Sequence, residues 1–208
     1  MVYNSLLKRE IPEGWKVENI ANNSLTKIIK PGINSFDNEK IYLPTAAIDN
    51  DKIVDRTNII TYSNREGRAN MQPITNSVWF AKMKKTKKIL YFGEYSIKRM
   101  NEIILSTGML GLECHNNSLE YIWNFINNEM FENIKDRLSH GATQEGINND
   151  DLISFPILIP INDMLLKYSD KVRSLYEQKY KNELENEQLT ELRDFLLPML
   201  MNGQVIVI

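Results

Sequence analysis

The chain has 208 residues, of which 42% are hydrophobic and 25% charged, with a formal net charge of −2. That length allows one substantial core, or a domain with an appendage, and the composition is that of a globular protein folding in water. Cys114 is alone and excludes an intrachain disulfide, His115 and His140 are too few soft ligands for a zinc site, and no stretch approaches the roughly 18 apolar residues of a membrane span.

The start, MVYNSLLKRE, has no apolar signal core, so the cytoplasm is the expected compartment. From 11 to about 115 the chain reads as short strands and turns. "KIYLPTAAI", "NIITY", "SVWFAKM", "KILYFGEYSI" and "EIILSTGML" are rich in β-branched and aromatic residues and are separated by Gly, Pro, Asn and Asp. The acids Asp49 and Asp51 fall in one such turn. Residues 79 to 100 carry seven bases, including Lys82, Lys84, Lys85, Lys87 and Lys88, against Glu94 alone, a balance of +6. Residues 101 to 163 carry ten acids against Lys135 and Arg137, a balance of −8. One part of the surface can therefore attract a polyanion while another repels it, although a short lysine run is also compatible with a solvated turn.

From 117 to 138 the period becomes helical. Asn117 and Glu120 have capping-box spacing, and Leu119, Ile122, Trp123, Ile126, Met130, Ile134 and Leu138 share a core-facing side until Gly141. The stretch "GATQEGINNDDLISFPILIP" follows, with Asn148 or Asn149 placed to cap a turn that Asp150 and Asp151 favour, and "FPILIP" returning as a strand. Thr143 and Gln144 can hydrogen-bond either nucleic acid or nearby backbone groups.

A long helix is expected from about 163 to 200, with no Gly or Pro before Pro198. Its apolar positions form a seam rather than a broad face: Leu165, Tyr168, Val172 and Leu175, then Tyr176, Tyr180 and Leu184, then Leu189, Leu192 and Leu196, with a phase shift near Tyr176 like a coiled-coil stutter. Such a rod calls for a partner, or folds back on its own domain. The fold class is thus α+β: a mixed-sheet domain over 1–162 followed by one long coiled-coil helix and tail over 163–208.

No phosphate-binding glycine loop, dinucleotide fingerprint, serine elbow or metal-binding helix is present, so no catalysis and no cofactor are expected. In order along the chain, "IPEGWKVENI", "GRANMQPITNSVWFAKMKKTKKIL", "ILSTGMLGLEC", "GATQEGINNDDLISFPILIP" and "LTELRDFLLPMLMNGQV" resemble the DNA-specificity subunits of type I restriction-modification systems. The resemblance implies target-recognition domains alternating with long helices, sequence recognition on behalf of methyltransferase and restriction subunits, and no catalysis by the subunit itself. A typical member has two recognition domains and two helices, whereas this chain has room for one of each and resembles a half-length form. The family often enters the helix through Pro-x-x-x-Glu-Gln, where this chain reads "IPINDMLLKY".

The expected ligand is double-stranded DNA. Lysines of "AKMKKTKK" would contact phosphates, and Arg65, Arg68 and Asn70 would read bases, since Arg pairs with guanine and Asn with adenine through two hydrogen bonds. Arg68 could equally pair with Glu66 or a carboxylate at a sheet edge. The alternative function is an assembly module whose rod binds a protein and whose domain reads no DNA. The unsatisfied rod predicts a homodimer, or pairing with another half subunit, through Leu165, Tyr168, Val172, Tyr176, Tyr180, Leu184, Leu189, Leu192 and Leu196.

Overall fold

The computed structural model describes residues 1–21, 23–142 and 145–203. In chain order the strands are β1 (Val2–Asn4), β2 (Arg9–Ile11), β3 (Lys16–Asn19), β4 (Thr26–Ile29), β5 (Lys40–Leu43), β6 (Ile48–Asp49), β7 (Lys52–Ile53), β8 (Ile59–Ile60), β9 (Ala69–Met71), β10 (Ser77–Ala81) and β11 (Ile89–Phe92). Helix α1 (Ile97–Glu102), β12 (Ile103–Ser106), β13 (Met109–Cys114), α2 (Leu119–Asn127), α3 (Glu129–Leu138), β14 (Pro156–Ile159) and α4 (Asn162–Met201) complete the order. The chain divides into two compact units, Met1–Ser169 and Asp170–Ile208, and α4 starts in the first.

Two four-stranded sheets organise the first unit. One is antiparallel in the order β11-β10-β13-β4, and the other is mixed, β8-β5-β12-β9, with β5 and β12 parallel. Trp79, Ala81, Leu90, Phe92 and Met109 of the first sheet share a core with Leu43, Met71, Ile103 and Leu105 of the second. Every residue of β10 is buried, because its alternate side chains are covered on both faces. Phe80, pointing the other way from Trp79, meets Phe131 of α3 edge to face at 5.0 Å. The outer face of the mixed sheet, with Tyr42, Ile60, Ala69 and Ile104, is covered by Ile33 and Phe36.

Gly111 is required by this packing. It faces Trp79 across the β10–β13 ladder, and a Cβ there would lie 2.6 Å from the indole ring. The ring is oriented by its own N–H, which donates to Ser77 Oγ at 2.9 Å.

The single helix expected over 117–138 is two helices, which corrects that reading. Asn128 leaves the helical region (φ −78°, ψ 143°) and its side chain accepts from the Met130 N–H, capping α3. The break rotates the second half, so that Phe131 and Lys135 are buried and Met130, expected inside, is 48% exposed. The start is Ser118 rather than Asn117, and Glu120 serves the core instead of a capping box: it is buried and accepts from Ser169 Oγ of α4 at 2.8 Å and from the Tyr91 hydroxyl at 3.3 Å. Burial pushes the Tyr91 hydroxyl far above its ordinary titration range, so it remains a donor.

The stretch read as a strand through Ile97 ends at Phe92; residues 94–96 turn and α1 follows. α3 stops at Leu138, and Gly141, with φ at 129°, lies beyond its cap at Ser139. The capping expected of Asn148 or Asn149 is reversed: the Asp151 carboxylate accepts from the Asn148 N–H at 2.6 Å. "FPILIP" does return as a strand, β14, which pairs antiparallel with β3 and delivers the chain to α4.

Candidate nucleic-acid interface

The lysine run forms the loop joining β10 to β11, and α2 and α3 hold its backbone and side chains from beneath. Lys135, with no exposed surface, pairs with Glu132 at 2.7 Å and donates to the loop carbonyls of Thr86 at 2.7 Å and Ala81 at 3.4 Å. A buried ammonium is stable only when it is paired and hydrogen-bonded, and here that requirement is met by fixing the loop. The neighbouring Asp136 accepts from the Lys85 backbone N–H at 2.8 Å, where Lys85 takes a left-handed φ of 53°. This conformation disfavours a side-chain-bearing residue and persists because its surroundings determine it.

The five lysines are not equivalent. Lys84 pairs with Glu145 at 2.6 Å, Lys87 Nζ donates to the Asn127 carbonyl at 2.9 Å, and Lys88 Nζ donates to the Thr45 carbonyl at 2.7 Å. Lys82 is half-buried, and desolvation lowers its pKa. The exposed Lys85 ammonium has neither hydrogen bond nor ion pair among the described residues. Three of the five, Lys84, Lys87 and Lys88, are thus tied to neighbouring groups, Lys84 alone by an opposite charge, and Lys85 is the exposed ammonium without a partner.

Arg65 and Arg68 differ in the same way. The Arg65 guanidinium lies over the Tyr62 ring at 4.3 Å and donates to the Tyr62 carbonyl at 2.6 Å. Tyr62 in turn meets Phe36 edge to face at 5.6 Å, and Lys40 Nζ sits 5.0 Å from the Phe36 ring. Arg68 is exposed and forms no ion pair with Glu66 or any other described carboxylate. Its carbonyl accepts from the Thr107 N–H at 2.9 Å and the Asn70 N–H at 3.0 Å. Asn70 is half-buried in β9, where its carbonyl accepts from Gly32.

The turn between β12 and β13 brings several of these groups together. Thr107 binds Arg68, the Gly108 carbonyl accepts from the Lys82 N–H at 3.0 Å, and a Cβ on Gly108 would lie 3.1 Å from Thr45 Cγ2 and 3.6 Å from an Arg68 guanidinium nitrogen. Lys88 reaches Thr45 from the other side. The Arg68 guanidinium and the Lys82 backbone therefore adjoin Thr107–Gly108, with Lys88 on the neighbouring Thr45, while Arg65 belongs to the Tyr62–Phe36 column. Thr143 and Gln144 lie outside the described residues; just after them, the Lys84 N–H donates to Glu145 and the Ile147 N–H to Lys82. Lys135 and Asp136 were missed by sequence reasoning; the only signal was the three-residue spacing of Glu132 and Lys135 on a helix.

Among the described residues no three His, Cys, Asp or Glu side chains are grouped to hold a metal. The buried Cys114 thiol is pushed well above its ordinary range by desolvation and is a poor nucleophile.

A mixed-sheet unit with a clamped basic loop and an adjoining arginine without an ion pair continues into a helix of 40 residues. No protein-family model matches the chain. Over 76 residues it is 34% identical to the specificity subunit of the type I restriction enzyme HindI of Haemophilus influenzae, a match covering 36% of this chain and 17% of that one. Its fold matches a chain from a structure describing complex assembly and conformational transition of the type I restriction-modification system, with a TM-score of 0.61 and 18% identity over 95% of this chain and 51% of that one. It also matches the HsdS subunit of Thermoanaerobacter tengcongensis, with a TM-score of 0.59 and 17% identity over 90% and 48% of the two chains. The chain is similar in sequence over those 76 residues to a type I specificity subunit and in fold to an HsdS subunit, and spans about half the length of the solved chains it matches.

Proposed function

We propose that the chain recognises a specific sequence in double-stranded DNA as the specificity component of a type I restriction-modification complex, directing partner methyltransferase and restriction subunits and performing no catalysis itself. The observation that carries this reading is the sequence match to a specificity subunit, in a chain whose fold matches an HsdS subunit over 90% of its length. Residues 1–162 are the recognition domain. Lys85 supplies phosphate attraction from the loop, Lys82 and Lys88 add positive potential around Thr107–Gly108, and Arg68 is the leading base reader, because its guanidinium is exposed and unpaired. Asn70 and Arg65 are secondary readers, since Arg65 must leave the Tyr62 ring to reach a base. No described helix is long and apolar enough to cross a membrane.

One recognition domain reads one half-site, so two copies paired through their rods would read an interrupted palindrome. The apolar residues exposed along the rod, Leu175, Leu189 and Leu192, support pairing over a solitary helix. Titration of the purified protein with duplex DNA at several salt concentrations tests the reading. Affinity should fall steeply with salt and differ between duplex sequences; binding that is absent at low salt would leave the assembly-module reading in its place.

A further inference from the structure

Residues 145–147 run antiparallel to the start of the lysine loop. The Lys84 N–H donates to the Glu145 carbonyl at 3.0 Å, the Ile147 N–H donates to the Lys82 carbonyl at 3.0 Å, and Met83 and Gly146 form the bridge between them. On its other side Gly146 exchanges two hydrogen bonds of 3.0 Å with the main chain of His140. The absence of a side chain at Gly146 allows this approach, because a Cβ there would lie 2.9 Å from the Lys82 carbonyl oxygen. Ile147, 2% exposed, anchors the segment in the core. Main-chain bonds on both sides therefore fix the point from which the Glu145 side chain departs.

From that point its carboxylate meets the Lys84 ammonium at 2.6 Å. The loop is held by a second acid–base pair, Lys135 with Glu132, and the two pairs differ in burial. Lys135 has no exposed surface, so opening its pair would strand a charge in the protein interior. The Lys84 and Glu145 side chains are 30% and 51% exposed, and at such exposure water and ions readily take the place of either partner. The buried pair is a fixed part of the fold, whereas the exposed pair is open to exchange. A phosphate oxygen makes the same kind of charge-assisted hydrogen bond to an ammonium as a carboxylate oxygen does.

We propose that Glu145 is a built-in surrogate for a DNA phosphate: its carboxylate masks Lys84 in the free protein and gives way to a backbone phosphate when duplex binds. This rests on the DNA-binding reading proposed above and adds the residue that sets how strongly the loop attracts DNA. The Lys84–Glu145 pair brings no net charge to the duplex. Glu145 retains a cation near the phosphates that a free lysine would displace, so the masked Lys84 adds little to the salt dependence of binding. Lys85, exposed and without an ion pair among the described residues, is the unmasked cation of the same loop. Phosphate contacts carry no sequence information, so a mask on one of them weakens the hold on DNA of any sequence and leaves discrimination to the base contacts.

Titration with a duplex of arbitrary sequence at several salt concentrations tests the mask. Glu145→Gln keeps the size and shape of the side chain. It should tighten binding at low salt by roughly threefold or more and steepen the slope of log affinity against log salt by about 0.9. Glu145→Ala, a second removal of the carboxylate, should do the same. In a Lys84→Ala background Glu145→Gln should leave affinity and slope nearly unchanged, because no cation remains to be unmasked. An equal gain in both backgrounds would make Glu145 a general repulsive charge and overturn its exchange with a phosphate on Lys84. Firm binding by the unmodified protein, with affinity and slope unaltered by either Glu145 variant, would overturn the mask alone. Failure of the unmodified protein and both variants to bind any duplex at low salt would overturn the DNA-binding reading and the mask with it.

Discussion

The sheet unit and the rod use apolar residues in opposite ways. In Met1–Ser169 the large side chains Trp79, Phe80, Phe92, Phe131 and Phe155 are fully enclosed, and the buried polar groups Lys135, Glu120 and Ser169 are paired. Beyond Ser169, α4 exposes Leu175, Leu189, Leu192, Phe195 and Leu197. The first unit holds its stability within itself, whereas a helix with an uncovered stripe gains most when another surface removes that stripe from water. In the proposed function, recognition falls to the enclosed unit and spacing to the helix with the uncovered stripe.

The largest effect that sharpens this contrast is in the sheet unit. Phe131→Ala removes the ring between Phe80 and Phe155 and should cost about 3–5 kcal/mol in urea unfolding. Leu189→Ala, measured on monomer at high dilution, should change stability by no more than about 0.5 kcal/mol. A comparable loss from both would break the distinction.

Lys135→Met should be nearly as costly, about 3 kcal/mol, because Glu132 is left without its cation and two loop carbonyls lose their donor. Lys135→Met with Glu132→Leu should recover most of that stability. The double variant should still bind DNA with a flatter salt dependence, since the loop presenting Lys85 has lost its support. A slope equal to that of the unmodified protein would show the clamp to be structural alone.

Arg68→Ala should lose about 1–3 kcal/mol of discrimination at one position of the target while nonspecific binding and unfolding stay as they were. A drop in stability instead would make Arg68 a structural residue. Asn128→Ala should cost about 1 kcal/mol through loss of the α3 cap, read by thermal unfolding. The smallest effect is that of Lys85→Ala, which should lower the salt slope by about 0.9 for one lost phosphate contact.

How much of this was legible in sequence follows the range of the interactions. The strands β5, β10, β12 and β14 lie within segments whose β-branched and aromatic residues mark them locally, "EIILSTGML" holds β12 and only the first two residues of β13, and the run without Gly or Pro gives α4 almost to its observed ends. The division of α2 from α3 was not legible, because Met130 continues the apolar period and only the side chain of Asn128 interrupts it. Lys135 was counted among surface charges, since nothing nearby in sequence reveals the carbonyls of Ala81 and Thr86 that receive it. The lysine run was legible as charge but not as structure: the partners of Lys84, Lys87 and Lys88 lie about 40 or more residues away in the chain. Of the proposed base readers, Arg68 is exposed and without an ion pair among the described residues, whereas the stacking of Arg65 on Tyr62 is visible only in the fold.

The central claim is that the protein reads duplex sequence, and selection from a random duplex library by the purified protein tests it most directly. The account predicts enrichment of one bipartite motif with two inverted half-sites at constant spacing, relaxed at one position of each half by Arg68→Ala. Recovery of duplexes with no common motif, bound equally by the unmodified protein and the Arg68→Ala variant, would contradict it.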